Sequence, residues 1–265
     1  MNRPHNSITD HWIDTDQGRL FARCWHPESG DGMRAPIVLL HDSLGCIALW
    51  RSFPAVLAQQ SGRVVIAYDR LGYGQSEARR GEPGRDFIAA EARDTFPAVQ
   101  RHFGFERFVA IGHSVGGGMA VHCAASHAAA CDALVTLSAQ AFVEERTRAG
   151  IREAREMFRQ TEHFTRLQRY HGDKAGWVLN AWIDTWLAPD FADWSLHDVL
   201  PGVRCPSLVV HGSEDEYGST DQPECIAAGV SGPVQLDILP GLGHVPHREQ
   251  EDRVVARIAG FLSTV

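Results

Sequence analysis

Short apolar segments alternate with helical segments along most of this chain of 265 residues. Apolar runs bounded by turn residues predict buried strands, and strands that alternate with helices predict a mostly parallel sheet covered on both faces. This alternation predicts the α/β fold class, with eight strands. One of the helices is expected to run without interruption over residues 87–103. The strand candidates are an opening hairpin at residues 13 and 20–25, followed by residues 37–40, 64–68, 108–111, 133–137, 207–210 and 234–239.

The alternation stops between about residues 142 and 200, where the sequence is helical and charged and has no strand signal. We predict a helical cap over residues 143–200, inserted after the sixth strand into a core of residues 1–142 and 201–265. Four tryptophans lie in this stretch. Either they attach the cap to the core, or they form an apolar ceiling over a substrate pocket. These tryptophans are Trp177, Trp182, Trp186 and Trp194.

Charge and composition exclude several classes of partner. The formal net charge is −8 and basic residues form no run, which argues against nucleic acid or an anionic membrane surface. The N-terminal residues 1–7 are polar and lack the apolar region of a signal peptide. The six cysteines have no C-x-x-C or zinc-type spacing, which favours buried thiols in a reducing cytoplasm. The expected partner is a small-molecule substrate, and the sequence leaves a homo-oligomer open.

The run Gly112-His113-Ser114-Val115-Gly116 lies where an apolar strand gives way to a helix rich in small residues. A serine between two glycines at such a turn can be presented at the end of a sheet as a nucleophile. Serine is also a favoured helix cap, so the motif alone leaves two interpretations of Ser114. A nucleophile would need a base and an orienting acid elsewhere in the chain.

Both partners are available after later strands. Asp215 follows the strand at 207–210 and His244 follows the last strand. Side chains that follow parallel strands gather at one edge of an open sheet, where ligands bind. The neighbouring carboxylates Glu214 and Glu216 compete with Asp215 for the acid role, and His247 competes with His244 for that of the base. The His244-x-x-His247 spacing lacks a third ligand, so no metal is expected.

Four motifs in this order resemble those of the α/β-hydrolase-fold serine hydrolases that carry a helical cap. They are the serine turn at 112–117, a D-x-x-G-x-G-x-S turn at 69–76, an acid loop at 212–215 and a histidine loop at 243–244. The resemblance implies that Ser114 is the nucleophile, that His244 is the general base and then acid, and that Asp215 orients it. It implies no metal or organic cofactor.

The loop that should bind the oxyanion departs from this family pattern. Where a glycine usually follows the histidine, the chain has Asp42, in the run His41-Asp42-Ser43-Leu44-Gly45. A carboxylate aimed at a developing oxyanion would oppose it, so we expect Asp42 to turn away and to bond the loop's own backbone. The expected oxyanion donors are the backbone N–H groups of Ser43, with Leu44 less favoured, and of Val115. The Ser-Leu-Gly run followed by Trp50 is similar to enol-lactone hydrolases of aromatic degradation.

The resemblance predicts hydrolysis of a small carboxylic ester or lactone through an acyl-enzyme intermediate. The alternatives are a hydrolase of carbon–carbon bonds in ring-cleavage products, a cofactor-free haloperoxidase-like enzyme, and, more remotely, a non-catalytic ligand-binding protein on the same fold. The C–C enzymes handle anionic substrates, so arginines should then line the pocket; Arg70 and Arg248 are the candidates. The predicted pocket residues are Leu44, His113, Trp182, Trp186 and Val245.

Overall fold

A computed structural model describes residues 7–28 and 34–265, so most of the polar N-terminal stretch, residues 1–6, lies outside the described residues. Eight strands form one sheet in the order β1-β2-β4-β3-β5-β6-β7-β8. β2 pairs antiparallel with β1 and β4, and the other neighbouring strands are parallel, which confirms the predicted fold class. The strands are β1 Ser7–Thr15, β2 Gly18–His26, β3 Ile37–Leu40, β4 Val65–Tyr68, β5 Phe108–His113, β6 Cys131–Leu137, β7 Ser207–Gly212 and β8 Val234–Leu239.

Helices cover both faces of the sheet because side chains of a buried strand alternate between the faces. In β3, Val38 and Leu40 join one apolar cluster, whereas Ile37 and Leu39 join the other. α2, α3 and α4 pack on the first face, and α1 and α10 on the second. The helices are α1 Phe53–Ser61, α2 Phe87–Ala90, α3 Phe96–Phe103, α4 Val115–Ser126, α5 Glu145–Met157, α6 Thr161–His171, α7 Ala175–Leu187, α8 Asp221–Gly229, α9 Pro246–Glu249 and α10 Glu251–Leu262.

The single helix predicted over residues 87–103 is wrong in one respect. A π-helical turn, Glu91–Thr95, separates α2 from α3. Pro97 lies in the first turn of α3, where its missing N–H is tolerated but where it cannot continue a regular helix from the preceding turn. The turn places the Glu91 carboxyl in the core, where it accepts a hydrogen bond of 2.6 Å from the Tyr68 hydroxyl.

Three helices, α5, α6 and α7, occupy the segment between β6 and β7 in which a cap is predicted. The ends of the segment meet at a β-bridge between Phe142 and Ser195. Ile151, Ile183 and Trp186 from these helices belong to the same apolar cluster as α4. The division of the chain at residues 143 and 200 stays a prediction. Within the described parts of the chain, no helix is both long and apolar enough to cross a bilayer.

Candidate active site

The turn between β5 and α4 holds Ser114 in a backbone conformation that is unusual for serine, with φ 56° and ψ −126°. Residues other than glycine rarely adopt such angles, and they do so mainly at functional sites. The flanking glycines permit the turn: a Cβ on Gly112 would lie 2.0 Å from the Gly116 carbonyl oxygen, and one on Gly116 would lie 2.2 Å from that of Leu40. The Ser114 side chain makes no capping hydrogen bond to α4, so the geometry does not support the helix-cap interpretation.

A carboxylate–imidazole pair lies at the same edge of the sheet. The Nδ1–H of His244 donates to Asp215, whose oxygens lie 2.8 and 2.9 Å away. Asp215 is 1 % exposed, and its Oδ1 also accepts the N–H groups of Tyr217 at 2.8 Å and Gly218 at 3.1 Å. These bonds fix the carboxylate, and the carboxylate in turn orients the His244 ring.

The contact between Asp215 and His244 lowers the pKa of the carboxyl and raises that of the imidazole. Burial favours the neutral form of Asp215, but the hydrogen bond and charge of His244 outweigh it and lower the pKa of the carboxyl. Burial likewise opposes the protonation of His244, but the hydrogen bond to Asp215 raises the pKa of the imidazole above its ordinary value of 6.5. Asp215 is therefore ionised, and His244 is well suited to accept a proton.

The rival residues have other contacts. Glu214 accepts a bond from the Ser213 hydroxyl at 3.4 Å, and Glu216 accepts the backbone N–H of His244 at 3.2 Å. His247 is buried among the rings of Trp50, Phe53 and His113. The described structure thus brings the carboxylate of Asp215, rather than that of Glu214 or Glu216, into a hydrogen bond with the His244 ring.

Gln140 is a contact of the serine that the sequence did not indicate. The Ser114 hydroxyl donates to Gln140 Oε1 at 3.2 Å. Gln140 is 4 % exposed and follows β6, at the same sheet edge as the other site residues. Its position after a strand could have drawn attention to it, but no motif surrounds it.

Asp42 bonds the backbone of its own loop, as expected. Its Oδ1 accepts the Leu44 N–H at 2.9 Å, while its Oδ2 lies 3.1 Å from Nδ1 of His113, a partner that the sequence did not predict. Burial alone would raise the pKa of Asp42, but the hydrogen bond and charge of His113 hold it well below its ordinary value. The Leu44 amide is thereby engaged, whereas those of Ser43 and Val115 have no acceptor among the described residues.

A small cavity of about 130 Å³ opens above Ser114. Its wall contains the five predicted pocket residues, together with residues that the sequence did not indicate. Neither arginine nor lysine is among the described lining residues. The two candidate arginines, Arg70 and Arg248, lie outside this lining. Trp177 contacts Tyr73 and Trp194 contacts Phe191, so only two cap tryptophans reach the cavity. The lining comprises Asp42, Ser43, Leu44, His113, Ser114, Gln140, Thr147, Ile151, Trp182, Trp186, Tyr217, His244 and Val245.

The sequence profile of the alpha/beta hydrolase fold matches residues 35–182, more than half of the chain. The chain belongs to the α/β-hydrolase-fold family. This α/β-hydrolase is 25 % identical over 279 residues to a non-heme haloperoxidase of Rhodococcus erythropolis, covering 94 % of this chain and 98 % of that protein. It is 26 % identical over 202 residues to the serine hydrolase BPHL of Homo sapiens, covering 75 % and 69 % of the two chains.

The fold of this α/β-hydrolase is similar to the crystal structure of the enol-lactonase from Burkholderia xenovorans LB400. The TM-score is 0.73 at 21 % sequence identity, covering 96 % of this chain and 100 % of the other. At this identity the likeness concerns the fold alone. Family membership and the named hydrolase relatives make the protein an α/β-hydrolase enzyme.

Proposed function

We propose that this enzyme is a serine hydrolase that cleaves a small, uncharged carboxylic ester or lactone through an acyl-enzyme intermediate. The observation that carries the proposal is the buried bond of 2.8 Å between Asp215 and His244, at the same cavity as the strained Ser114. A nucleophile, a base and an orienting acid on three separate loops are the arrangement that acyl transfer requires.

The first step needs a side-chain rotation. The Ser114 hydroxyl donates to Gln140 in the free enzyme, and it must turn towards His244 before the imidazole Nε2 can take its proton. Rotamer changes of this kind are fast, and catalytic hydrogen bonds often form only when substrate is bound. Ser114 Oγ then attacks the carbonyl carbon, and Asp215 stabilises the imidazolium that forms.

The amides of Ser43 and Val115 would hold the oxyanion of the tetrahedral intermediate. Both N–H groups lack another acceptor among the described residues, and Ser43 lines the cavity. His244 then protonates the leaving oxygen, and a water molecule, deprotonated by His244, releases the acyl group from Ser114. Loss of one oxyanion donor should cost about 3 kcal/mol of transition-state stabilisation.

The cavity favours a small, uncharged acyl group. Its volume of about 130 Å³ lies below the roughly 300–1,000 Å³ of sites for drug-sized ligands. The described residues that line it include no arginine or lysine, which disfavours the anionic substrates of C–C hydrolases. A haloperoxidase-like activity at the same serine is the second candidate, because the R. erythropolis haloperoxidase aligns with nearly the whole chain.

Labelling with a fluorophosphonate tests the nucleophile. The wild-type enzyme should be labelled at Ser114, and Ser114→Ala should abolish both labelling and ester turnover. Ser43→Ala is the matched control, since it removes a hydroxyl from the same cavity but keeps the backbone N–H, so labelling should persist. Unlabelled wild-type protein that is folded would overturn the proposal.

A substrate panel then separates the reactions. It comprises p-nitrophenyl esters of increasing chain length, lactones, a dienoate C–C substrate, and bromination in the presence of hydrogen peroxide. We expect short esters or lactones to be turned over with the highest kcat/KM. Faster cleavage of the dienoate, or faster bromination, would replace ester hydrolysis by the corresponding alternative.

A further inference from the structure

A second carboxylate–imidazole pair lies beside the first. Nδ1 of His113 is 3.1 Å from Asp42 Oδ2, and Nε2 of the same ring is 2.8 Å from the carbonyl oxygen of His244. The rings of His113 and His244 are 5.0 Å apart between their centroids. The pair therefore connects three loops: that of Asp42, the serine turn and the histidine loop.

The contacts of His113 determine how many protons it carries. A backbone carbonyl oxygen can only accept, so Nε2 must carry a proton to bond the His244 carbonyl. Nδ1 faces a carboxylate that also accepts the Leu44 N–H, and an ionised carboxylate is an acceptor only. The N–H bond from Leu44 stabilises the ionised form of Asp42, because a hydrogen bond donated to a carboxylate favours its charge. Both nitrogens of His113 must then be donors, which makes the ring an imidazolium.

We propose that Asp42 and His113 form a buried ion pair that positions the oxyanion loop against the histidine loop and neutralises the Asp42 carboxylate. The positioning role rests on the serine hydrolase activity proposed above. The His113 imidazolium cancels the carboxylate that replaces the usual glycine, so the developing oxyanion does not face an uncompensated negative charge. Asp42 also binds the Leu44 amide, which leaves the neighbouring Ser43 amide free to face the cavity.

Other charged and titratable groups surround the pair, and they bear on its pH dependence. His247 has a ring centroid 4.7 Å from that of His113, and burial keeps its pKa well below the ordinary value, so it is neutral. The Arg70 guanidinium donates to the Asp42 carbonyl oxygen at 2.7 Å, on the backbone side of the loop. The titratable groups whose charges act on the pair are His41 and Cys46 on the oxyanion side, His171 from α6, His244, His247 and Arg248 from the histidine loop, and Tyr217 from the acid loop. Asp215 and Glu216 act on the neighbouring His244.

The pair makes opposite predictions for its two members. The acid limb of the pH profile of kcat/KM reports the protonation of His244. Asp42→Asn removes a negative charge near His244, so the limb should move to lower pH. His113→Gln removes the positive charge and leaves Asp42 unpaired, so the limb should move to higher pH. A neighbouring charge shifts a pKa by about 1–3 units, so displacements of about one unit are expected, with little net displacement in the double variant.

The matched control is His247→Gln, which removes an equally buried but neutral imidazole from the same cluster and should leave the limb in place. The proposal would be overturned if the acid limb moved in the same direction in Asp42→Asn and His113→Gln. It would also be overturned if the limb moved in His247→Gln instead. A merely structural role of the pair would lower activity without opposite shifts.

A measurement on the wild-type enzyme separates this proposal from the proposed function. ¹⁵N NMR of histidine-labelled protein at pH 7 should show a ring with two protonated nitrogens whose signals vanish in His113→Gln. A His113 ring with one protonated nitrogen would refute the ion pair even in a fully active hydrolase. Absence of phosphonate labelling, by contrast, would refute the hydrolase and leave the NMR result to decide the ion pair.

Discussion

The first turn of α4 contacts the end of β3 at Gly116, where the nucleophile helix meets the strand that leads into the oxyanion loop. A Cβ built on Gly116 would lie 2.2 Å from the Leu40 carbonyl oxygen and 2.6 Å from that of His41. Ordinary contact begins at 3.4 Å, so Gly116→Ala must separate the two backbones by about 1.2 Å. Neither oxygen belongs to a side chain that could rotate away.

This separation would move Ser114 relative to the proposed oxyanion donor on Ser43. A displacement of about 1 Å at a reacting centre costs on the order of 100-fold in rate, so kcat/KM for a p-nitrophenyl ester should fall about 100-fold in Gly116→Ala. Overpacking should lower the free energy of unfolding by about 1–3 kcal/mol, which leaves most domains folded.

Gly118→Ala, on the same helix, is the control. There the nearest atom to a new Cβ is Ile88 Cγ2 at 3.3 Å, in a side chain that can adjust. Kinetics and thermal unfolding of both variants would be compared, and Gly118→Ala should stay within a few-fold of wild type. If Gly116→Ala matches its control in kcat/KM, the backbone contact at Gly116 does not set the geometry of the site.

Three further predictions concern the acid, the base and the cavity. Burial lowers the pKa of His244, but the bond to Asp215 raises it above 6.5, and catalysis needs the neutral ring. As the pH is lowered, kcat/KM should therefore reach half of its maximum while the pH is still above 6.5. A midpoint below pH 6.5 contradicts this. Asp215→Asn should lower kcat by about 10⁴-fold, as the loss of the orienting carboxylate does in Ser-His-Asp enzymes, while Glu214→Gln stays near wild type in the same assay. Ile151→Ala should enlarge the cavity and shift the preference among p-nitrophenyl esters to longer acyl chains. It should also lower the free energy of unfolding, measured with denaturant, by about 2–5 kcal/mol. An unchanged preference would exclude Ile151 from the acyl site.

The strands and the order of the motifs could be predicted because they depend on local patterns. Buried parallel strands require continuous apolar runs, and the serine turn requires glycines at 112 and 116 on steric grounds. Residues that follow such strands end at one edge of the sheet whatever the loops do. The interruption at Glu91–Thr95 was missed because helical spacing continues through it, although Pro97 marks its end.

Contacts between residues distant in sequence could not be predicted in this way. The bond of Ser114 to Gln140 and that of His113 to the His244 carbonyl join loops that no local pattern relates. The sequence also could not show which cap tryptophans reach the cavity, since that depends on how α7 packs on the core.

Asp42 illustrates the difference between what the sequence shows and what the folded structure shows. An α/β sheet, a serine turn, and an acid and a histidine in the order Ser, Asp, His could be read from residue type and spacing, because backbone sterics and burial act through them. The sequence also showed that a carboxylate stands where glycine is usual. The pairing of His113 with this carboxylate became visible in the folded molecule alone, because it depends on a distance of 3.1 Å between side chains 71 residues apart in the sequence.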